Sequence, residues 1–153
     1  DNLNNWLGDV GTRLGSLSQR LSASVGRVKL NTALKTETPA VGEVPQVDEE
    51  IVETPWMQID NVFYEARGQA WALSHLLRAI EVDFADVLAK KNATVSVRQI
   101  IRELEASQEP VWSPMILNGS GFGVLANHSL VMANYISRAN AAVIDLRQLL
   151  NQG

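Results

Sequence analysis

Asn127, Asn134, Arg138 and Asp145 are spaced by seven, four and seven residues, with His128 and Tyr135 beside them. On a helix they form one polar stripe. Such a stripe can do two kinds of work. Facing an open space between helices, it would bind a small ligand or assist a hydrolysis in which the imidazole moves a proton. Covered by another helix, it would form a register-fixing hydrogen-bond network, because an unpaired buried polar group costs about 1–3 kcal/mol. The segment after Pro55 offers partners: Asp60, Tyr64, Glu65, Arg67 and His75 lie on its less apolar side. Arg138 paired with Asp60 or Glu65, without a cavity, would mark a network. An open pocket with these groups directed into it would mark a site.

Other chemistries find less support. The only histidines, His75 and His128, fall on different expected helices and no Glu-X-X-His pair accompanies them, so no metal site is expected. Ser74–His75 and His128–Ser129 are chain neighbours about 100° apart on a helix, a poor geometry for a dyad. No Gly-X-Ser-X-Gly elbow occurs. With no cysteine, the chain has neither thiolate ligands nor a thiol nucleophile. "NGSGFG" at 118–123 lacks the Gly-Lys-Ser/Thr of a phosphate loop, and neither lysine nor arginine occurs from Val111 to Asn134. It reads as a turn with Gly119 and Gly121 at positive φ and Ser120 near a helix cap. Trp56, Trp71 and Trp112 could line a cleft, although a helical core is the ordinary place for tryptophan. No cofactor is expected.

The elements that would carry these groups are helices. The 153 residues are 46% hydrophobic and 20% charged, which fits one globular domain. The net charge of -4 argues against a nucleic-acid partner. Leu3, Leu7, Val10, Leu14, Leu17 and Leu21 keep a four-three spacing that extends to Val28, with Ser24 in the missing slot. Gly8, Gly11 and Gly15 notch this helix where another helix, or a second copy, packs closely. Thr36 to Thr54 holds six acids, no base and two prolines, and reads as an acidic linker or long loop within the domain. Thr54-Pro55 opens a second helix along Ile59, Phe63, Ala66, Ala70, Leu73, Leu77, Ile80, Phe84 and Val87, closed by Lys90, Lys91 and Asn92. Ser96 and Gln99 suggest a capping box for a short helix ending near Ser107. The last runs from about Phe122 to Leu150 with its seam on Phe122, Leu125, Ser129, Met132, Ile136, Ala139, Val143, Leu146 and Leu150. Few of its residues are charged, so it belongs at the centre. No strand alternation competes. The fold class is all-α: a bundle of three long helices and one short helix.

Three blocks carry a resemblance: "DNLNNWLGDVGTRLGSLSQRLSASVG", "DNVFYEARGQAWALSHLLRAIEVDFADVL" and "IIRELEASQEPVWSPMILNGSGFGVLANHSLVMANYISRANAA". Over nearly its whole length, the acidic linker least, the chain resembles a proteobacterial family defined as domain of unknown function 2333. The resemblance implies the C-terminal half of a longer protein, anchored in the inner membrane by an upstream segment, with its soluble part facing the periplasm. It implies no activity, catalytic residue or cofactor. The opening "DNLNNW", without an initiator methionine, fits the expectation of a fragment. The expected role is a non-enzymatic interaction or scaffolding domain of the cell envelope. Its expected partners are the missing N-terminal half, an envelope protein or a second copy. The alternative is a ligand-binding or hydrolytic site on the polar stripe.

Overall fold

The computed structural model describes residues 2–30, 49–120 and 122–152. In chain order it contains α1 (Asn2–Ser22), a 3-10 turn (Ala23–Val25), β1 (Arg27–Leu30) and β2 (Glu49–Val52). A second 3-10 turn (Trp56–Gln58) leads into α2 (Ile59–Asp83), α3 (Ala85–Lys90), α4 (Thr94–Ala106) and α5 (His128–Asn151). The architecture is all-α with one two-stranded ladder.

α5 is the central helix and packs against α1, α4 and α2. Its buried line is Ser129, Met132, Ile136, Ala139, Val143 and Leu146, joined by Ala133 and Ala142. Alanines and a serine leave room for close neighbours on several sides, while the longer residues fill the space between them. α1 buries Leu7, Val10, Leu14, Leu17 and Leu21. Its glycine notch is occupied from within the chain. A Cβ at Gly8 would stand 3.2 Å from Nη2 of Arg147, and one at Gly11 3.4 Å from Oδ1 of Asn140.

The helix ends depart from the sequence expectation. α1 stops at Ser22, not Val28. Gly26, at φ 80°, takes a backbone conformation that side-chain-bearing residues rarely adopt, and turns the chain into β1. β1 then pairs antiparallel with β2, Arg27 opposite Val52 and Leu30 opposite Glu49. The end of the expected acidic loop is therefore strand, while its residues 36–48 lie outside the described ones. Valine and isoleucine favour that extended pairing. Thr54 caps no helix: its N–H donates to the Ala23 carbonyl at 2.9 Å, tying the ladder to the end of α1.

The expected long second helix is two. A break at Phe84 (φ -111°) redirects its last turns. Phe84 and Val87 become exposed, and Leu88 is fully buried in their place. α3 ends as the sequence suggests, with Asn92 at φ 52°. The Asn92 and Ala93 N–H groups donate to the Ala89 and Leu88 carbonyls, a closing motif that satisfies two otherwise unpaired acceptors. α4 begins at Thr94 rather than behind a Ser96–Gln99 box, with buried Ala93 at its cap position and no side-chain cap.

Gly68 lies inside α2, and a Cβ there would meet nothing within 4 Å. Gly68→Ala is expected to stabilise the protein by about 0.5–1 kcal/mol, because alanine restricts the unfolded chain and fits a helix. A chemical-denaturation midpoint shifted upward checks this; a downward shift would show that the site is not open.

Candidate functional site

The side-chain-lined opening of interest lies between α2, α5 and the loop after α4. It is a groove of about 490 Å³ walled by Phe63, Val111, Leu117, Val131, Met132 and Tyr135, with His128 and the solvent-exposed Trp112 also on its lining. Four of these residues, His128, Val131, Met132 and Tyr135, share one face of α5, because the intervals of three and four keep a single azimuth.

The loop wall is held by Arg67. Its guanidinium donates to the Glu109 carbonyl at 2.9 Å and to the Gln108 carbonyl at 2.5 Å, while the Gln108 side chain donates back to the Arg67 carbonyl at 3.2 Å. A cation thus meets carbonyls at the C-terminus of α4, where the helix end is negative. The far wall is pinned by Asn127, which is buried and caps α5. Its Oδ1 accepts from the Leu130 N–H at 2.8 Å. Its Nδ2 donates to the Gly119 carbonyl at 2.7 Å and to Asn118 Oδ1 at 2.9 Å. Asn118 in turn donates to the Ser24 carbonyl. The expected turn is therefore built differently. Asn127, not Ser120, is the cap, and α5 starts at His128 rather than Phe122. Gly119 is not at positive φ, and Gly121 lies outside the described residues. Phe122, expected on the buried seam, is 107% exposed, and Leu125 is exposed too. The seam begins only at Ser129, because the loop before it is held by polar bonds rather than by packing.

The polar stripe does not act as one unit. Asn134 and Asp145 are solvent-facing. Arg138 pairs with Glu103 of α4 at 2.7 Å, not with Asp60 or Glu65, and its side chain is 51% exposed. It also lies over the Tyr135 ring, 4.9 Å from the centroid. Asp60 accepts from the Ile116 N–H at 3.3 Å, which ties the loop to the start of α2. Glu65 pairs with Arg20 of α1. His75 lies against Trp71, ring centroids 4.3 Å apart and tilted by 42°, on the exposed side of α2. Of the stripe and its neighbours, His128 and Tyr135 reach the groove. Pattern reasoning missed Val111 and Leu117, which lie in an aperiodic loop that gives no face to read, and Val131, which sits on α5 outside both the buried seam and the polar stripe.

Because Arg138 is half exposed, Arg138→Ala is expected to change stability by no more than about 1 kcal/mol. The 3–5 kcal/mol associated with breaking a buried pair would require a desolvated cation. A thermal melt distinguishes the two.

The Arg20 guanidinium donates to both Glu65 oxygens, at 2.6 and 2.7 Å. This hydrogen bonding holds the Glu65 carboxyl below its ordinary range, against a smaller opposing effect of burial. The sign follows directly. The pair's contribution is present above the unfolded carboxylate range and is lost as pH falls through the lowered folded value. Glu65→Gln is expected to remove a small part of the acid dependence of stability, measured by denaturation across pH 2–6 (roughly the carboxylate range). Identical pH profiles for the variant and the parent would overturn it.

The histidine chemistry is also decided by geometry. The Leu117 N–H donates to His128 Nδ1 at 3.0 Å, so the neutral ring carries its proton on Nε2. A catalytic base oriented by a carboxylate has the opposite arrangement, with Nδ1–H donating and Nε2 free to accept. Ser74 Oγ and His75 Nδ1 come within 3.3 Å, closer than helical azimuths suggest, yet both donate to the Trp71 carbonyl at 2.8 Å. That serine is held as a donor to backbone. The tryptophans expected in a core, Trp56, Trp71 and Trp112, are all exposed.

One family profile matches residues 1–153, described as an uncharacterized protein conserved in bacteria, DUF2333. Neither a curated protein nor a solved structure matches the chain.

Proposed function

The chain belongs to this bacterial family, DUF2333, and on that footing we propose that it is a non-enzymatic interaction domain of an envelope protein, taking an apolar stretch of a protein partner into the groove. The observation that carries the reading is Trp112, which lines a mainly apolar groove and yet stands 95% exposed. A large aromatic side chain left in water beside concave apolar walls gains most from a partner that covers it. The donor tautomer of His128 suits binding better than base catalysis. The family resemblance supports an inner-membrane anchor with the soluble part in the periplasm. The upstream position of that anchor rests on the same resemblance; among the described residues no helix is long and apolar enough to cross a membrane.

The test uses the full-length protein in its native host, with a photo-crosslinking residue at Val131 in the groove or at Ile144, which is exposed elsewhere on α5. The partner captured at Val131 is identified, and its purified apolar segment is titrated against this chain. Saturable binding that Val131→Asp abolishes, without lowering the melting temperature, supports the proposal. Equal capture at both positions, or binding indifferent to Val131→Asp, overturns it.

A further inference from the structure

We propose that the occupant of the groove is an extended, proline-rich peptide segment with a basic residue beside its prolines. This rests on the reading of the groove as a protein-binding site.

His128 Nδ1 is taken by the Leu117 N–H, leaving Nε2–H as a donor. The Tyr135 hydroxyl and the Trp112 indole N–H have no hydrogen-bond partner among the described residues, and all three side chains line the groove. Of the nearby acceptors, the Gln108 and Glu109 carbonyls receive Arg67 and Ser107 Oγ receives the Gln108 amide at 2.9 Å, which leaves the Glu109 carboxylate as the acceptor paired with no cation among the described residues. The groove therefore offers donors and aromatic faces more than acceptors. A peptide that presents carbonyls and few N–H groups fits this supply. Proline contributes an apolar ring and a carbonyl with no N–H to leave unpaired.

Spacing narrows the conformation. His128 and Tyr135 are seven residues apart on α5, a rise of about 10.5 Å. A polyproline II segment repeats every three residues, or about 9.3 Å, with its carbonyls unbonded and outward. The two side chains thus leave α5 at a spacing near one such turn, so that equivalent carbonyls face His128 and Tyr135 in succession with a proline ring over exposed Val131 between them. A β-strand repeats a face at about 6.7 Å and then about 13 Å, bracketing the distance without matching it. An α-helical ligand has already used its carbonyls internally. Aromatic grooves that supply donors to a preformed, low-entropy extended segment follow this general logic. The basic flank follows from Glu109, which borders the groove and whose carboxylate is paired with no cation among the described residues.

The experiment uses the chain with Trp6, Trp56 and Trp71 replaced by Phe, so that Trp112 alone reports. Three blocked decapeptides are titrated. The first has prolines at positions i and i+3 and a flanking lysine. The second has the same composition with the proline spacing scrambled. The third is an apolar, helix-forming sequence. The expected result is a blue shift of Trp112 emission with the first peptide and at least about tenfold weaker binding of the second. Tyr135→Phe, which deletes only the hydroxyl, should weaken the first by about fivefold, the loss of one hydrogen bond. Equal affinity of the first two peptides, an affinity unmoved by Tyr135→Phe, or no binding of the first peptide overturns the inference. Binding of the helical peptide alone, sensitive to Val131→Asp, would overturn it and leave the groove as a docking site. Failure of all three peptides together with no groove-specific crosslink would remove both readings.

Discussion

Asn127→Ala is expected to lower stability by about 2–4 kcal/mol and to release the loop between Leu117 and His128. The cap to the Leu130 N–H accounts for about 1 kcal/mol. The rest comes from the Gly119 carbonyl, which loses its donor inside a closed loop, where an unsatisfied buried acceptor costs about 1–3 kcal/mol; exposed Asn118 loses the same donor but can turn to water. For a domain of this size the melting temperature should fall by about 5–15 °C. Asn127→Asp separates the two contributions. Aspartate caps as well as asparagine does, but its carboxylate has no proton to give to two acceptors. We expect it to be nearly as costly as alanine. Parent-like stability of Asn127→Asp would show that the cap, not the loop network, is what Asn127 supplies. Because this loop leads into His128, the groove should be lost along with it, visible as loss of hydrogen-exchange protection at the Leu117 amide, which is bound to Nδ1.

Gly119→Ala is expected to be of similar severity for a steric reason. A Cβ at Gly119 would lie 2.1 Å from the Leu125 carbonyl oxygen and 2.7 Å from its carbon. Both are backbone atoms, so no side chain can swing aside. The loop must open, breaking the Gly119 N–H to Ala126 carbonyl bond and disturbing the bridge between Asn118 and Asn127. Overpacking of this kind costs about 3 kcal/mol. The comparison with Gly68→Ala is informative because the same added methyl is expected to stabilise there. Hydrogen exchange at Gly119 and His128, whose N–H groups close the loop, reads the opening directly. Melting and exchange indistinguishable from the parent would mean that the two strands of the loop do not approach this closely in solution.

The buried faces of the helices were legible in the residue order. Leu7 to Leu21, Ile59 to Leu77 and Ser129 to Leu146 recur at three and four residues, and such a repeat states a face wherever the helix is eventually placed. The central position of α5 was legible too, since a helix with few charges has little surface to give to water. The glycine notch of α1 announced a close neighbour, which proved to be α5 of the same chain. One local signal was present but overridden. Asn127 is a preferred cap residue, yet the apolar spacing continued back through Leu125 to Phe122 and concealed the start of α5.

Tertiary structure decided the rest. Arg138 meets Glu103 rather than Asp60 or Glu65 because the choice depends on the axial offset and rotation of helices about one another. The break at Phe84 and the turn at Gly26 likewise depend on what the following segment reaches, Leu88 for the core and β2 for β1. The groove is the extreme case. Its walls come from α2, α5 and the loop after α4, and that loop is held by Arg67 and Asp60, 41 and 56 residues away from the groups they bond. Periodicity records which side of one helix avoids water; it contains no distance between two helices, and a cavity exists only as such a distance.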